Sequence, residues 1–159
     1  MRSKPADADI GDRIPHSLAP APVFILAVFY ETPPIEGNVK TTIEASCHCG
    51  AVRLEINNPP VALTDCNCSI CRRYGTLWAY YSPKHVRVVP ASGGTDTYIW
   101  GERRIEFHRC KTCGCVTHWA SLDPESERMG VNARLMDPEV LRPLRIRKLD
   151  GAVTGKYFR

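Results

Sequence analysis

The sequence has no apolar run approaching the roughly 20 residues that a helical membrane span requires. Its longest candidate, APAPVFILAVFY at residues 19–30, is too short, so no membrane partner is expected. A secretory leader is equally hard to read there. The run is followed by ETPPIEGNVK, with bulky and charged residues and two prolines where cleavage would need small side chains. Asp7, Asp9 and Asp12 also dilute the positive charge ahead of it. The expected setting is therefore cytoplasmic and reducing. Blocks of five or six like charges are missing too, and the formal net charge of +4 over 159 residues is modest. With no basic stripe and no aromatic ladder interleaved with arginine, nucleic acid is not an expected partner.

Long amphipathic helices and fixed-period repeats are also lacking. Length and a hydrophobic content of 43% predict one domain with a real core. Residues 1–40 carry scattered prolines and no period, and read as a poorly ordered N-terminal arm or a mis-assigned start, no further methionine occurring before Met129. From Thr41 onward the texture is one of short β-like runs. In AVRLEI (51–56) Val52, Leu54 and Ile56 share one face and Arg53 and Glu55 the other, until NNPP stops the strand. TLWAYYS (76–82) and VRVVP (86–90) predict two more strands, and TDTYIW and RRIEFHRC a hairpin across Gly101. GCVTHWA and GVNARLM add a further pair, and DPEVLR (137–142) one short helix with Asp137 as cap and proline at its first position. The expected fold is mainly β, with antiparallel sheets and little helix.

Eight cysteines stand out in such a chain, in three clusters: Cys47 and Cys49; Cys66, Cys68 and Cys71; Cys110, Cys113 and Cys115. Disulfides are disfavoured, because a reducing compartment keeps thiols free and thiols two apart on an extended chain point to opposite faces. Iron–sulfur proteins use other spacings. Tetrahedral zinc needs four ligands, which a Cys-x-Cys pair and a Cys-x-x-Cys pair supply, and Gly114 after Cys113 provides the positive φ that such turns require. Eight thiols allow two closed sites of four, or one closed site, an open site of three and a spare. Three ligands with an open position is the pattern of catalytic zinc, and spacing leaves Cys115 available as a fourth ligand of the central cluster.

The stretches SCHCGAVRLEI, CNCSICRRYG and RIEFHRCKTCGC closely resemble the glutathione-dependent formaldehyde-activating enzyme family, which also includes centromere protein V. The resemblance covers roughly residues 42–149, placing a zinc domain of this type at 41–150 and a C-terminal tail at 151–159. It implies a fold like that of the Mss4 protein, with antiparallel sheets around a structural zinc held by Cys47, Cys49, Cys110 and Cys113. It implies a second, catalytic zinc on Cys66, Cys68 and Cys71, two zinc ions per chain, and a carbon–sulfur lyase that joins glutathione to formaldehyde. Cys115 falls outside that ligand set and reads as a small buried side chain.

Four thiolates on Zn²⁺ leave about −2 and three leave about −1, so cations beside the clusters matter. Arg72 and Arg73 follow the central cluster, and Arg109 and Lys111 flank Cys110. Arg72, Arg73 and Arg134 are the candidate contacts for the glutathione carboxylates. His48 is expected to point away from a metal and His108 to be a strand side chain, while Trp78, Tyr80, Tyr81 and Trp119 read as core aromatics. Two other readings stand beside the enzyme: a zinc-stabilised binding module, and the same chemistry on another thiol or aldehyde.

Overall fold

A computed structural model describes residues 42–90 and 92–159, so the expected N-terminal arm at 1–40 lies outside the described residues. Alternation of apolar and polar residues produces the first hairpin, β1 (Ile43–Ser46) against β2 (Arg53–Ile56). Val52, Leu54 and Ile56 are fully buried, as their shared face predicts. β5 (Val86–Val89) pairs with the other side of β2 and completes a three-stranded sheet.

The remaining strands are β3 (Leu63–Cys66), β4 (Trp78–Tyr81), β6 (Thr95–Ile99), β7 (Ile105–Cys110), β8 (Val116–Ser121), β9 (Met129–Asn132), β10 (Ile146–Asp150) and β11 (Lys156–Tyr157). They form one sheet in the order β11-β10-β3-β4-β9-β8-β7-β6. The β6–β7 hairpin expected across Gly101 is present. The pairing is antiparallel except between β10 and β3, whose parallel register sets Leu149 beside Cys66. Residues 151–159, which read as a tail, include β11, paired with β10 at the sheet edge.

Among the described residues, two short α-helices interrupt the strands. α1 (Ser69–Tyr74) follows β3 directly and ends at Gly75 in the left-handed conformation, a helix beyond the single one expected at 137–142. α2 (Pro138–Leu141) has the expected cap, the Asp137 carboxylate accepting from the Glu139 N–H at 2.8 Å. No helix among the described residues is long and apolar enough to cross a membrane.

One core lies where Ile43, Ala45, Leu54 and Ile56 of the small sheet meet Leu63, Ala79 and Val131 of the large one. Asn132 cross-links the large sheet: its Nδ2 donates to the Val116 carbonyl at 2.8 Å, and its Oδ1 accepts from the Leu77 N–H at 3.3 Å. A second core, aromatic, gathers Trp78 and Phe107 around Cys66, Cys68 and Cys71.

His108 and His118 stack across β7 and β8 with ring centroids 4.1 Å apart. Thr117 Oγ1 donates to the His108 carbonyl and therefore accepts from His118 Nδ1–H at 2.9 Å. Burial first, and the His108 ring second, push the His118 pKa down from 6.5 to about 3. Between those values the unfolded chain binds a proton that the folded chain refuses, so stability is intact above pH 6.5 and falls as pH drops toward 3. His118→Gln keeps an amide donor and removes the titration. In urea unfolding at pH 7 and pH 5, the wild type should lose more stability than His118→Gln, by up to about 1.4 kcal/mol per pH unit.

Candidate metal centres

The first centre is built by two turns. After β1 the chain reverses at Cys47–Gly50, where the Gly50 N–H donates to the Cys47 carbonyl at 3.0 Å. After β7 it reverses at Cys110–Gly114, the Gly114 N–H donating to the Cys110 carbonyl at 2.9 Å. Gly50 and Gly114 follow the second cysteine of each turn with φ of 75° and 74°, a conformation costly for other residues. Cys47 and Cys49 therefore do not point to opposite faces. The chain is turning rather than extended, and their sulfurs lie 3.6 Å apart. Exposed His48 sits between them on the turn.

Cys49 Sγ lies 3.7 Å from Cys110 Sγ, and the sulfurs of Cys47, Cys49, Cys110 and Cys113 all lie within 4.8 Å of one another. All eight cysteines are free. A tetrahedral zinc with Zn–S near 2.3 Å has sulfur–sulfur edges of about 3.8 Å, so the donor set fits such an ion.

Backbone donors prepare these sulfurs for negative charge. The Val52 N–H donates to Cys47 Sγ at 3.3 Å. The N–H groups of Cys115 and Cys49 hold the Cys113 thiol down to about 5, against the opposing effect of burial. Cys110 is lowered in the same way by the N–H groups of Cys113 and Thr112. Cys49 moves to about 12: the Ala51 N–H lowers it, but burial and the thiols of Cys47, Cys113 and Cys110 outweigh that donor. Crowded thiols cannot all ionise unless a cation joins them.

The second centre lies where β3 runs into α1. Cys66 ends the strand, Cys68 caps the helix and Cys71 lies in its first turn, so the strand-to-helix corner turns all three sulfurs to one point within 4.8 Å. All three are buried, unlike exposed Cys49 of the first centre. Burial raises Cys66 and, more strongly, Cys71, although Trp78 Nε1–H donates to Cys71 Sγ at 3.2 Å. Burial also pushes Cys68 up, but the Cys71 N–H, the thiols of Cys71 and Cys66 and the Ile70 N–H bring it below its ordinary value. Cys115 is not the fourth member. It packs beside Cys47, Val52 and Cys110 at the first centre.

The three sulfurs form one wall of a cavity of about 310 Å³ whose other walls include Trp78, Tyr80, Trp100, Phe107 and Trp119. Trp78, Tyr80 and Trp119, expected as core, line this site as well. Tyr81 points elsewhere, into the core between the sheets. Of the three candidate arginines, Arg73 lines a groove that shares Ile70 and Trp100 with the cavity. Arg72 is exposed on α1, and Arg134 lines a separate cleft with Leu63 and Leu77. His108 is held by Thr95 Oγ1 and Glu106 Oε1, each at 3.0 Å, away from both sulfur clusters.

Gly151 has no signal in the sequence, yet a Cβ there would lie 2.5 Å from Cys66 Sγ. The turn that carries it is pinned by Asn67, between Cys66 and Cys68. Asn67 Nδ2 donates to Asp150 Oδ1 at 3.0 Å, and its Oδ1 accepts from the Ala152 N–H at 2.9 Å.

Residues 42–146 match the family described as glutathione-dependent formaldehyde-activating enzyme. Over 58 residues the chain is 38% identical to a Halomonas elongata protein named "Putative glutathione-dependent formaldehyde-activating enzyme". That match covers 36% of this chain and 32% of the relative's length. A crystal structure of a Rhodobacter sphaeroides protein, 32% identical, superposes with a TM-score of 0.55 over 65% of this chain and 99% of that one.

Cys110→Ser opens the first centre and should lower bound metal by one ion per chain, with a thermal midpoint several degrees below wild type, read by elemental analysis and calorimetry. Gly151→Ala should spare the first centre. Its methyl group displaces Cys66 Sγ, so a chromogenic chelator should strip metal from the second centre about ten times faster than from wild type.

Proposed function

The chain belongs to the glutathione-dependent formaldehyde-activating enzyme family, and from that premise we propose that it is a zinc-dependent carbon–sulfur lyase joining the glutathione thiol to an aldehyde, formaldehyde in the simplest case. The observation that carries this reading is the asymmetry of the two centres. Four sulfurs close the first, whereas the second has three buried sulfurs and a face open to a cavity. In this reading Cys47, Cys49, Cys110 and Cys113 hold a structural zinc, and Cys66, Cys68 and Cys71 hold the catalytic one. Eight free cysteines fit a reducing, cytoplasmic setting.

Zinc at the second centre would keep a bound thiol as thiolate at neutral pH, and the thiolate is the form that attacks a carbonyl carbon. The chain's own groups prepare the rest. Trp78 Nε1–H fixes Cys71 Sγ, and the Asn67-pinned turn holds Gly151 against Cys66. The aromatic walls displace water from the reacting carbon. Arg73 borders the groove next to the cavity and is placed to take a glutathione carboxylate, while one of its donors is engaged with the Ser69 carbonyl at 2.8 Å. As the carbon–sulfur bond forms the carbonyl π bond breaks, and the thiol proton ends on the oxygen of S-(hydroxymethyl)glutathione.

Zinc-loaded protein should speed adduct formation above the spontaneous rate, measured by rapid mixing and NMR. Cys68→Ser should remove that acceleration while circular dichroism stays native. Arg73→Ala should raise the KM for glutathione about fivefold, the modest effect of a partly solvated ion pair. A wild-type rate equal to the spontaneous one would sink the reading.

A further inference from the structure

The cavity beside Cys66, Cys68 and Cys71 is far larger than the smallest aldehyde needs. Its 310 Å³ equals roughly ten times the volume a water molecule occupies in the liquid, whereas formaldehyde has a single carbon. Five aromatic rings face it, from Trp78, Tyr80, Trp100, Phe107 and Trp119. Rings arranged around a space are recognition surfaces for flat apolar groups. Trp100 is 42% exposed at the rim and neighbouring Tyr98 48%, a pairing of exposed aromatics that marks a binding surface more than a core.

Charge argues in the same direction. The charged side chains on the cavity walls are Glu102 and Arg104, joined to each other at 2.9 Å and mostly exposed. Their charges cancel at the mouth, so the carboxylates of glutathione gain little inside. Those groups have the Arg73 groove, which continues from the cavity past Ile70 and Trp100. The space between the rings is left for the other reactant.

We propose that this cavity receives the apolar substituent of the aldehyde, and that the chain favours aldehydes bearing a ring-sized apolar group over formaldehyde. The inference rests on the proposed function, thiol addition at the three-cysteine centre. The reaction is the same addition: the carbon–sulfur bond forms, the carbonyl π bond breaks, and the thiol proton moves to the carbonyl oxygen, with no oxidant or reductant.

The three tryptophans of the chain are Trp78, Trp100 and Trp119, and all three line this cavity, so intrinsic fluorescence reports its occupancy. Zinc-loaded full-length protein is titrated with benzyl alcohol, an unreactive ring-bearing probe, and with methanol as the one-carbon control. A saturable emission change is expected with benzyl alcohol alone. No saturable change overturns the proposal whatever the activity. The second arm compares acceleration over the spontaneous glutathione reaction for benzaldehyde and formaldehyde. The expected ratio is at least tenfold in favour of benzaldehyde, with Trp100→Ala raising the benzaldehyde KM by a similar factor. Acceleration with formaldehyde and none with benzaldehyde overturns the proposal and leaves the proposed function standing. Acceleration with neither removes that function, and the aldehyde assignment with it.

Discussion

Four cysteine sulfurs crowded between two turns are the constraint on which the rest of this structure depends. Cys49 and Cys110 are 61 residues apart in the chain, and their sulfurs lie 3.7 Å apart. One turn belongs to the three-stranded sheet and the other to the eight-stranded sheet, so the cluster staples the two sheets at one end. Closing so long a loop costs entropy, and packing four ionisable thiols adds repulsion as soon as they lose protons. Backbone N–H groups aimed at the sulfurs relieve part of that repulsion, and a bound cation would relieve the remainder. A metal ion held there would couple its binding to folding at this end of the molecule.

The second centre has the opposite character. Its three sulfurs come from six consecutive positions, 66–71, at a strand-to-helix corner, and close no long loop. The fold spends its packing here on the surroundings: Trp78 donates to one sulfur, the β10–β11 turn lies against another, and aromatic walls enclose the space in front. A cluster that staples sheets has all four positions filled by the chain. The three-sulfur cluster leaves one open toward the cavity, where burial strengthens charge interactions.

Much of the fold was legible in local pattern. Alternation in AVRLEI, the two aromatic runs and the Asp137–Pro138 start of α2 reflect short-range physics that every copy of those residues obeys. The elements without a local signature are those whose reason is remote. β10 reads as a charged stretch, IRKLD, and becomes a strand because β3 offers it a parallel edge. No helix is expected at CNCSIC, yet Ser69–Tyr74 coils into one that buries Ile70 and Cys71 against Trp78 and Phe107. Asn132 gives no signal in the sequence, because a buried amide is recognised by the backbone groups it satisfies, and those lie up to 55 residues away.

The sequence alone grouped the cysteines into three clusters suited to gathering thiols, since a thiol pair two or three residues apart can aim at one point only through a tight turn or a helix start, and the family resemblance implied how seven of them divide between two centres. Which clusters meet, which face stays open and what surrounds it belonged to the tertiary structure. Cys49 finds Cys110 only when two hairpins pack together, Arg73 rather than Arg134 lines the groove next to the cavity only because α1 lies beside the β6–β7 hairpin, and Gly151 approaches Cys66 only through a parallel strand pair. Each of those is a long-range contact, and local sequence pattern carries no record of the partner across the fold.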